Sequence, residues 1–380
     1  MGQPRFRDTG AGSFFADYLY DQIVPRGHFL RHLEEVIPWE EYGRQLLVCY
    51  KGAGEHGRPP WDPVLMLKVL LLAHLYSLSR RDTEAYINEN IPAKWFLGLA
   101  IDMPAPDYST ISDFQTRLVK NRNTDLFQKL LDDLIALAKS KGVVFGSIQI
   151  VDSVHVIADV NTQKDDQRDD EGEPRRDPAA QPALGRRPGW GVKHKRTVRD
   201  EDGREKKVPE YFYGFKQHTS MNAESGLITS LTHTSGKEYD GHQLPRLIEH
   251  DLSLGLPISI VTADRGYDDG NNHYFLQLHG LHSAIRLLDF RTKLTNRHRE
   301  VWLGLKQTPE YWAGLKERGR IEAKFGEAKT RHGLRRCHSV GMMAFKAQSY
   351  LTAIALNLKR MVLLLSGVRF GNGTTAPCGA

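Results

Sequence analysis

The chain has 380 residues, 40% of them hydrophobic, which exceeds one typical domain and leaves ample material for a core. Lys and Arg number 52 against 46 acids, a net charge of +6, which leans mildly towards polyanionic partners. Cys49, Cys337 and Cys378 show no C-x-x-C spacing, excluding a disulfide framework or zinc finger and fitting a reducing, cytoplasmic compartment. The N-terminal stretch MGQPRFRDTGAGSFF lacks an apolar signal core, and no run reaches transmembrane length. LTAIALNLKRMVLLL carries Lys359 and Arg360 mid-run, so it reads as a core helix.

Residues up to about 140 read as helical. DPVLMLKVLLLAHLYSL opens with Asp62 as N-cap and Pro63 at the first helical position. Ser79 with Asp82 forms a second helix start, leading into TEAYINEN after a short turn. A Pro-rich link, DMPAPDYS, precedes a third helix near Ser109, and the amphipathic TDLFQKLLDDLIALAKSKG closes this part at Gly142. GAGEHG (Gly52 to Gly57) matches a dinucleotide fingerprint and follows the strand-like QLLVCY, but RPPWDP comes directly after it. Prolines there prevent a helix from starting on the glycines, so the segment reads as a loop without a nucleotide cofactor.

Strand character begins with SIQIVDSVHV. Counting by twos places Ile148, Ile150, Asp152, Val154 and Val156 on one face, so a carboxylate interrupts an apolar surface. Burying it unpaired costs several kcal/mol. A loop cap, an Arg partner or a bound metal each compensate. Residues 161–210 are polar and Pro/Gly-rich without apolar periodicity, and read as a partly disordered surface insertion. YFYGFKQHTSMNAESGLITSLTHTSG reads as two strands about a turn at Glu224–Ser225–Gly226. The helix GHQLPRLIEHDLSL, the strand PISIVTADRGYDD, a further helix and the strand LHSAIRLLD follow. The order β–β–β–α–β–α–β–α is a mixed α/β domain.

Asp264 ends its strand, where α/β sheets keep functional side chains, though turn capping is an equal reading. From Arg286 onward bases crowd together, through Arg291, Lys293, Arg297 and Arg299 to Lys329, Arg335 and Arg336; a solvated face is the plain alternative. ERGRIEAKFGEAKTRHGLRR reads as a helix that brings Arg318, Glu322, Phe325 and Lys329 onto one stripe, with Glu327 opposite. A surface salt-bridge ladder accounts for Arg318 and Glu322 alone. Together with a strand-centre Asp and a strand-end Asp, the stripe has the layout of a ribonuclease H-like nuclease. Asp152, Asp264 and Glu322 then form the catalytic set and hold two Mg²⁺, for which Mn²⁺ substitutes, all-oxygen donors suiting these hard cations.

The blocks IQIVDSVHV and VTADRGYDD, with Arg318, Glu322 and Lys329 at their spacing, resemble the DDE transposases of bacterial insertion sequences. That family often has a Tyr where this chain has Leu315. GRPPWDPVLMLKVLLLAHLYSLSRRDTEAYINENIPAKWFLGLAIDMPAPDYSTISDF is similar to the helical N-terminal domain of one branch. The resemblance implies a helical DNA-binding domain over 1–140, a ribonuclease H-like catalytic domain over 141–366 and a flexible tail over 367–380. It implies recognition of terminal inverted repeats in double-stranded DNA, cleavage at the ends, and joining of 3′-hydroxyls to target DNA by a homodimer. Arg318 and Lys329, with Arg335 and Arg336 beyond them, are the expected DNA contacts. His155, one residue out of phase with Asp152, faces away from it. A DNA-binding descendant without catalysis, and a nuclease that cuts without joining, are the alternatives.

Overall fold

A computed structural model describes residues 6–10, 14–50, 59–120, 124–161, 188–199, 205–288 and 299–371. The glycine-rich loop at 51–58 and the basic positions Arg291, Lys293 and Arg297 lie outside them. Two compact units are present, one of residues 1–130 with 351–380, the other of residues 131–350.

The first unit is helical: α1 (Phe14–Ile23), α2 (Phe29–Val36), α3 (Trp39–Leu46), α4 (Pro63–Tyr76), α5 (Arg80–Glu89), α6 (Ile91–Leu97) and α7 (Tyr108–Lys120). Asp62 caps α4, accepting from the N–H groups of Val64 and Leu65. Ser79 and Asp82 form the expected reciprocal box on α5. QLLVCY is not a strand: its apolar residues finish α3 and a short 3₁₀ turn, with Leu46 and Cys49 buried. Helix α4 is apolar nearly all round because it is the centre of its unit. The one cation in its interior, Lys68, pairs with Glu34 at 2.7 Å and lies between the rings of Trp39 and Phe96. Phe370, in the stretch expected to be a free tail, packs on Phe29 at 5.0 Å and on Tyr76 at 5.1 Å. No single helix among the described residues is long and apolar enough to cross a membrane.

Helix α8 (Thr124–Ser140) leads into β1 (Ile148–Ile157), β2 (Gly189–Arg199), β3 (Glu205–Asn222) and β4 (Ile228–Ser235), then α9 (Leu244–Ser253), β5 (Ile260–Ala263), α10 (Gly270–Leu278) and β6 (His282–Ile285). Helices α11 (Arg299–Gln307), α12 (Pro309–Glu317), α13 (Arg320–Arg331) and α14 (Met342–Ser366) follow. The core sheet runs β4-β3-β1-β5-β6, with β1 antiparallel to β3, β3 antiparallel to β4, and β5 and β6 parallel to β1. Gly226, at φ 68°, closes the β3–β4 turn where the sequence put it.

Two features depart from the sequence reading. The segment 161–210, which reads as a partly disordered surface insertion, contains β2 and the start of β3, paired from Gly189↔Gly214 to Arg199↔Glu205. Their alternation is hidden by glycines and bases, and their stability comes from cross-strand pairing rather than an apolar stripe. The helix read across 317–336 is broken at Arg318–Gly319, so α12 and α13 are separate.

Both sheet faces are covered. On one, Val151, Val261, Ala263 and Ile285 pack with Leu244, Leu247 and Ile248 of α9, Leu276 of α10 and the buried Tyr267. On the other, α12 approaches β5 and β6 so closely that a Cβ on Gly314 would collide with Ala284, Ile260 and Thr262. That contact seats α12, and through it fixes the start of α13 over β1.

Candidate active site

Val151 on β1 stands opposite Ala263 on β5 in parallel register. The next residue on each chain is Asp152 and Asp264, so the two carboxylates leave neighbouring strands side by side, with strand axes about 4.8 Å apart. Asp264 also caps the turn that follows, accepting from Gly266 N–H at 2.7 Å, while Asp152 accepts from Ser153 N–H at 2.8 Å. Capping and convergence therefore coexist at Asp264. The neighbouring acids have other duties: Asp268 is buried and bonded to His273 and to Leu288 N–H, and Asp269 caps α10.

Burial, and then the Asp264 charge beside it, push the Asp152 carboxyl up to about 7, against the Ser153 N–H and Arg318. Asp264 is raised as well, by burial first and by Asp240, with Gly266 N–H, Arg318 and Arg286 opposing. Two partly buried acids held side by side, both with raised pKa, are an arrangement that folding alone does not favour.

The third carboxylate near them is one the sequence did not single out. Asp240, on the 3₁₀ turn before α9, accepts from Ser153 Oγ and from Lys216 Nζ, both at 2.7 Å. No apolar periodicity marks this turn, and its partners lie far away in the chain. Tyr267 is buried against the same three acids, and burial followed by their charges raises its hydroxyl well above the usual range.

Helix α13 lies along β1. Arg320 Nη1 donates to Ala223 O at 2.7 Å near the start of β1, and past the other end of the helix Ile157 N–H donates to Arg335 O. Asp152 is bracketed by two cations. Arg318 acts on both Asp152 and Asp264, while Lys329, whose pKa is lowered by burial and then by Lys193 and Arg335, feels Asp152 as its counter-charge.

Glu322 does not join the pair. Its side chain is 59% exposed and bonded to Arg318 at 2.9 Å, the surface ladder that the spacing also allowed. Among the described residues, no three acids, histidines or cysteines stand together as a ready metal cage. The donors that do converge, Asp152 and Asp264, are hard carboxylate oxygens, which fits a Mg²⁺-type cation. Glu327 points elsewhere, towards His332 at 3.8 Å. Arg335 and Arg336 are exposed, with Arg336 3.8 Å from Asp159. His155, one residue out of phase with Asp152, packs against Phe212 at 4.9 Å.

An antiparallel trio of strands extended by two parallel ones, with Asp152 in the middle of the central strand, Asp264 just past the end of its parallel neighbour and a helix laid along them, is the layout of a ribonuclease H-like fold. Residues 18–117 match the family description Transposase domain (DUF772), and residues 175–358 match Transposase DDE domain. The second match includes Asp264 and Glu322 and begins after Asp152. The chain belongs to the DDE transposases of insertion sequences.

Proposed function

We propose that this transposase binds the terminal inverted repeats of its element, cuts at the ends and transfers the resulting 3′-hydroxyls to target DNA, through Asp152, Asp264 and Glu322. The observation that carries the reading is the side-by-side pair Asp152–Asp264, raised in pKa and bracketed by Arg318 and Lys329. Asp152 and Asp264 would hold Mg²⁺, with Glu322 joining once it leaves Arg318. An exposed glutamate turns at little cost, since surface ion pairs contribute only about 0–1 kcal/mol. When bound, Mg²⁺ neutralises the pair and polarises the phosphodiester for attack by water or a 3′-hydroxyl.

The chain's own groups do the rest. Arg318 and Lys329 bind the phosphates on either side of the scissile bond and stabilise the charge that builds on the phosphoryl oxygens. Lys216 holds Asp240 against Ser153, which fixes the backbone beside Asp152. The helical unit supplies end recognition, Arg335 and Arg336 extend the phosphate track, and two copies pair the two ends in the cytoplasm of the host cell.

The test is strand cleavage and joining on the element's terminal repeats, with Mg²⁺ or with EDTA. Cutting and joining lost in EDTA and in Glu322→Ala, but retained in Asp240→Asn, supports this set. The reverse pattern would move the third ligand to Asp240. Binding without metal-dependent cutting, in every protein tested, would leave a DNA-binding descendant.

A further inference from the structure

The outer half of β3, residues 205–212, pairs with β2 alone, because β1 and β4 reach only residues 214–222 and Ala158 N–H, just past β1, donates to Tyr213 O. The two strands form a ribbon that extends past the core sheet. At its base one face is buried: Phe212 packs inward, and Gly189, Gly191 and Gly214 leave no room for side chains. The opposite face carries Trp190 paired with Tyr213 and Val192 paired with Tyr211. Alternation along β3 from Thr219, the partner of Asp152, places these four on the Asp152 side of the sheet.

Water reaches much of this surface. Trp190 is 52% exposed, Val192 49% and Tyr211 59%, and the Trp190 and Tyr213 rings lie 5.2 Å apart, tilted against each other. Residues 189–199 and 205–213 contain six Lys and Arg against two Glu; Lys193 lies 2.9 Å from Glu210 and Arg199 3.9 Å from Glu205, exposed pairs that a phosphate displaces at little cost. Lys193 stands close enough to Lys329 to repel it, so the ribbon adjoins the cation that flanks Asp152. Exposed rings among excess bases fit a polyanion that offers flat apolar faces. A paired duplex presents base edges, which are read by amide and guanidinium groups rather than by Trp, Val and Tyr.

We propose that the Trp190–Val192–Tyr211 face binds an unpaired stretch of the DNA strand leading to the carboxylate site, with bases stacked on the rings and phosphates on Lys193 and Arg199. The proposal rests on reading Asp152 and Asp264 as the strand-cleaving site, but its test needs no cleavage. A short oligothymidylate carrying one 5-iododeoxyuridine is bound to the full chain and irradiated, and the crosslinked peptide is identified. Affinity is read in parallel by fluorescence anisotropy, for the oligothymidylate and for a duplex of equal length.

The crosslink falls on Trp190 or Tyr211, in wild type and in Asp152→Asn alike. The double variant Trp190→Ala/Tyr211→Ala binds the oligothymidylate about thirtyfold more weakly or worse, with an unchanged melting temperature, since stacking contributes about 1–3 kcal/mol per base and two rings are removed. Trp190→Phe restores most of the affinity. Crosslinks only elsewhere, unchanged affinity in the double variant, or an equal loss on the duplex would each overturn the proposal. A chain that crosslinks at Trp190 yet cuts no DNA would overturn the cleavage reading and leave the ribbon as a single-strand site.

Discussion

Two aspartates of the sheet unit, Asp251 fully buried and Asp152 partly so, meet the same problem and solve it differently. Asp251, on α9, is fully enclosed and accepts from Gln149 Nε2 at 2.9 Å; that amide also reaches Ser220 and Thr229, and the three hydroxyls of Ser220, Thr229 and Ser230 surround the carboxylate. Burial raises Asp251 to about 6, and the hydroxyls hold it down. Asp152 has one backbone N–H and, facing it, a second carboxylate. Asp251 relies on neutral donors, with its Oδ1 left without a hydrogen-bond partner among the described residues, whereas Asp152 relies on Arg318 and Lys329 against the charge of Asp264. The first arrangement serves the framework; the second is the one on which the proposed site rests, although sequence position alone does not separate the two acids.

The sharpest way to break that distinction is to neutralise each acid in turn. Asp152→Asn or Asp264→Asn should lower strand cleavage by roughly 10³-fold or more, because a charge that acts on the reacting centre is removed. The same change should raise the metal-free stability by about 1 kcal/mol, since it relieves a repelling pair. Calorimetry without and with Mg²⁺ checks the second half: the wild type gains stability on metal addition and Asp152→Asn gains much less. A loss of stability in Asp152→Asn would place it with Asp251 as a framework residue.

The same contrast explains what the sequence could and could not reveal. Asp152 stands out because its neighbours at even spacing, Ile150, Val154 and Val156, are buried and apolar, a local pattern that survives folding. Gln149, on the other face of the same strand, is just as deeply buried, and its role depends on residues 71, 80 and 102 positions away. Asp240 escaped for that reason too, being brought in by Ser153 and Lys216. The stripe Arg318–Glu322–Lys329 was legible as spacing, but helical geometry assigns positions on a face and not the direction in which an exposed side chain rests. The ribbon is not legible in the sequence because its periodicity lies in pairing between strands. The capped helices α4 and α5 were read well because a cap is a contact between residues three or fewer positions apart.

Packing offers the next largest effect. Gly314→Val should destabilise the sheet unit by about 1–3 kcal/mol, the usual cost of overfilling a close contact, because Ala284, Ile260 and Thr262 occupy the space. Since α12 leads into Arg318, the variant should also lose cleavage beyond what its folded fraction explains; chemical denaturation and a specific-activity measurement on the same sample separate the two. Asp251→Ala, by contrast, should cost about 2 kcal/mol through lost hydrogen bonds and a small cavity, with activity per folded molecule kept. Activity falling in step with Asp152→Asn would erase the difference between the two acids.

The smallest expected effect is the most specific. The folded-state pKa of Asp251 is raised to about 6 from the ordinary value near 4, so between those limits the folded chain holds a proton that the unfolded chain has released. Stability then falls as pH rises, because the slope follows protons bound by the unfolded state minus those bound by the folded state, which is negative here. Below about pH 4 both states are protonated and above about pH 6 both are ionised, so the loss is confined to that window. In Asp251→Asn the amide keeps an acceptor for Gln149 and has no proton to release. Urea melts of the two proteins at matched pH should therefore diverge across the window, the variant gaining relative to wild type as pH rises, and run parallel above it. Taking the difference removes every group the two proteins share, Asp152 and Asp264 included. Parallel profiles throughout would mean that the hydroxyls around Asp251 compensate its charge in full.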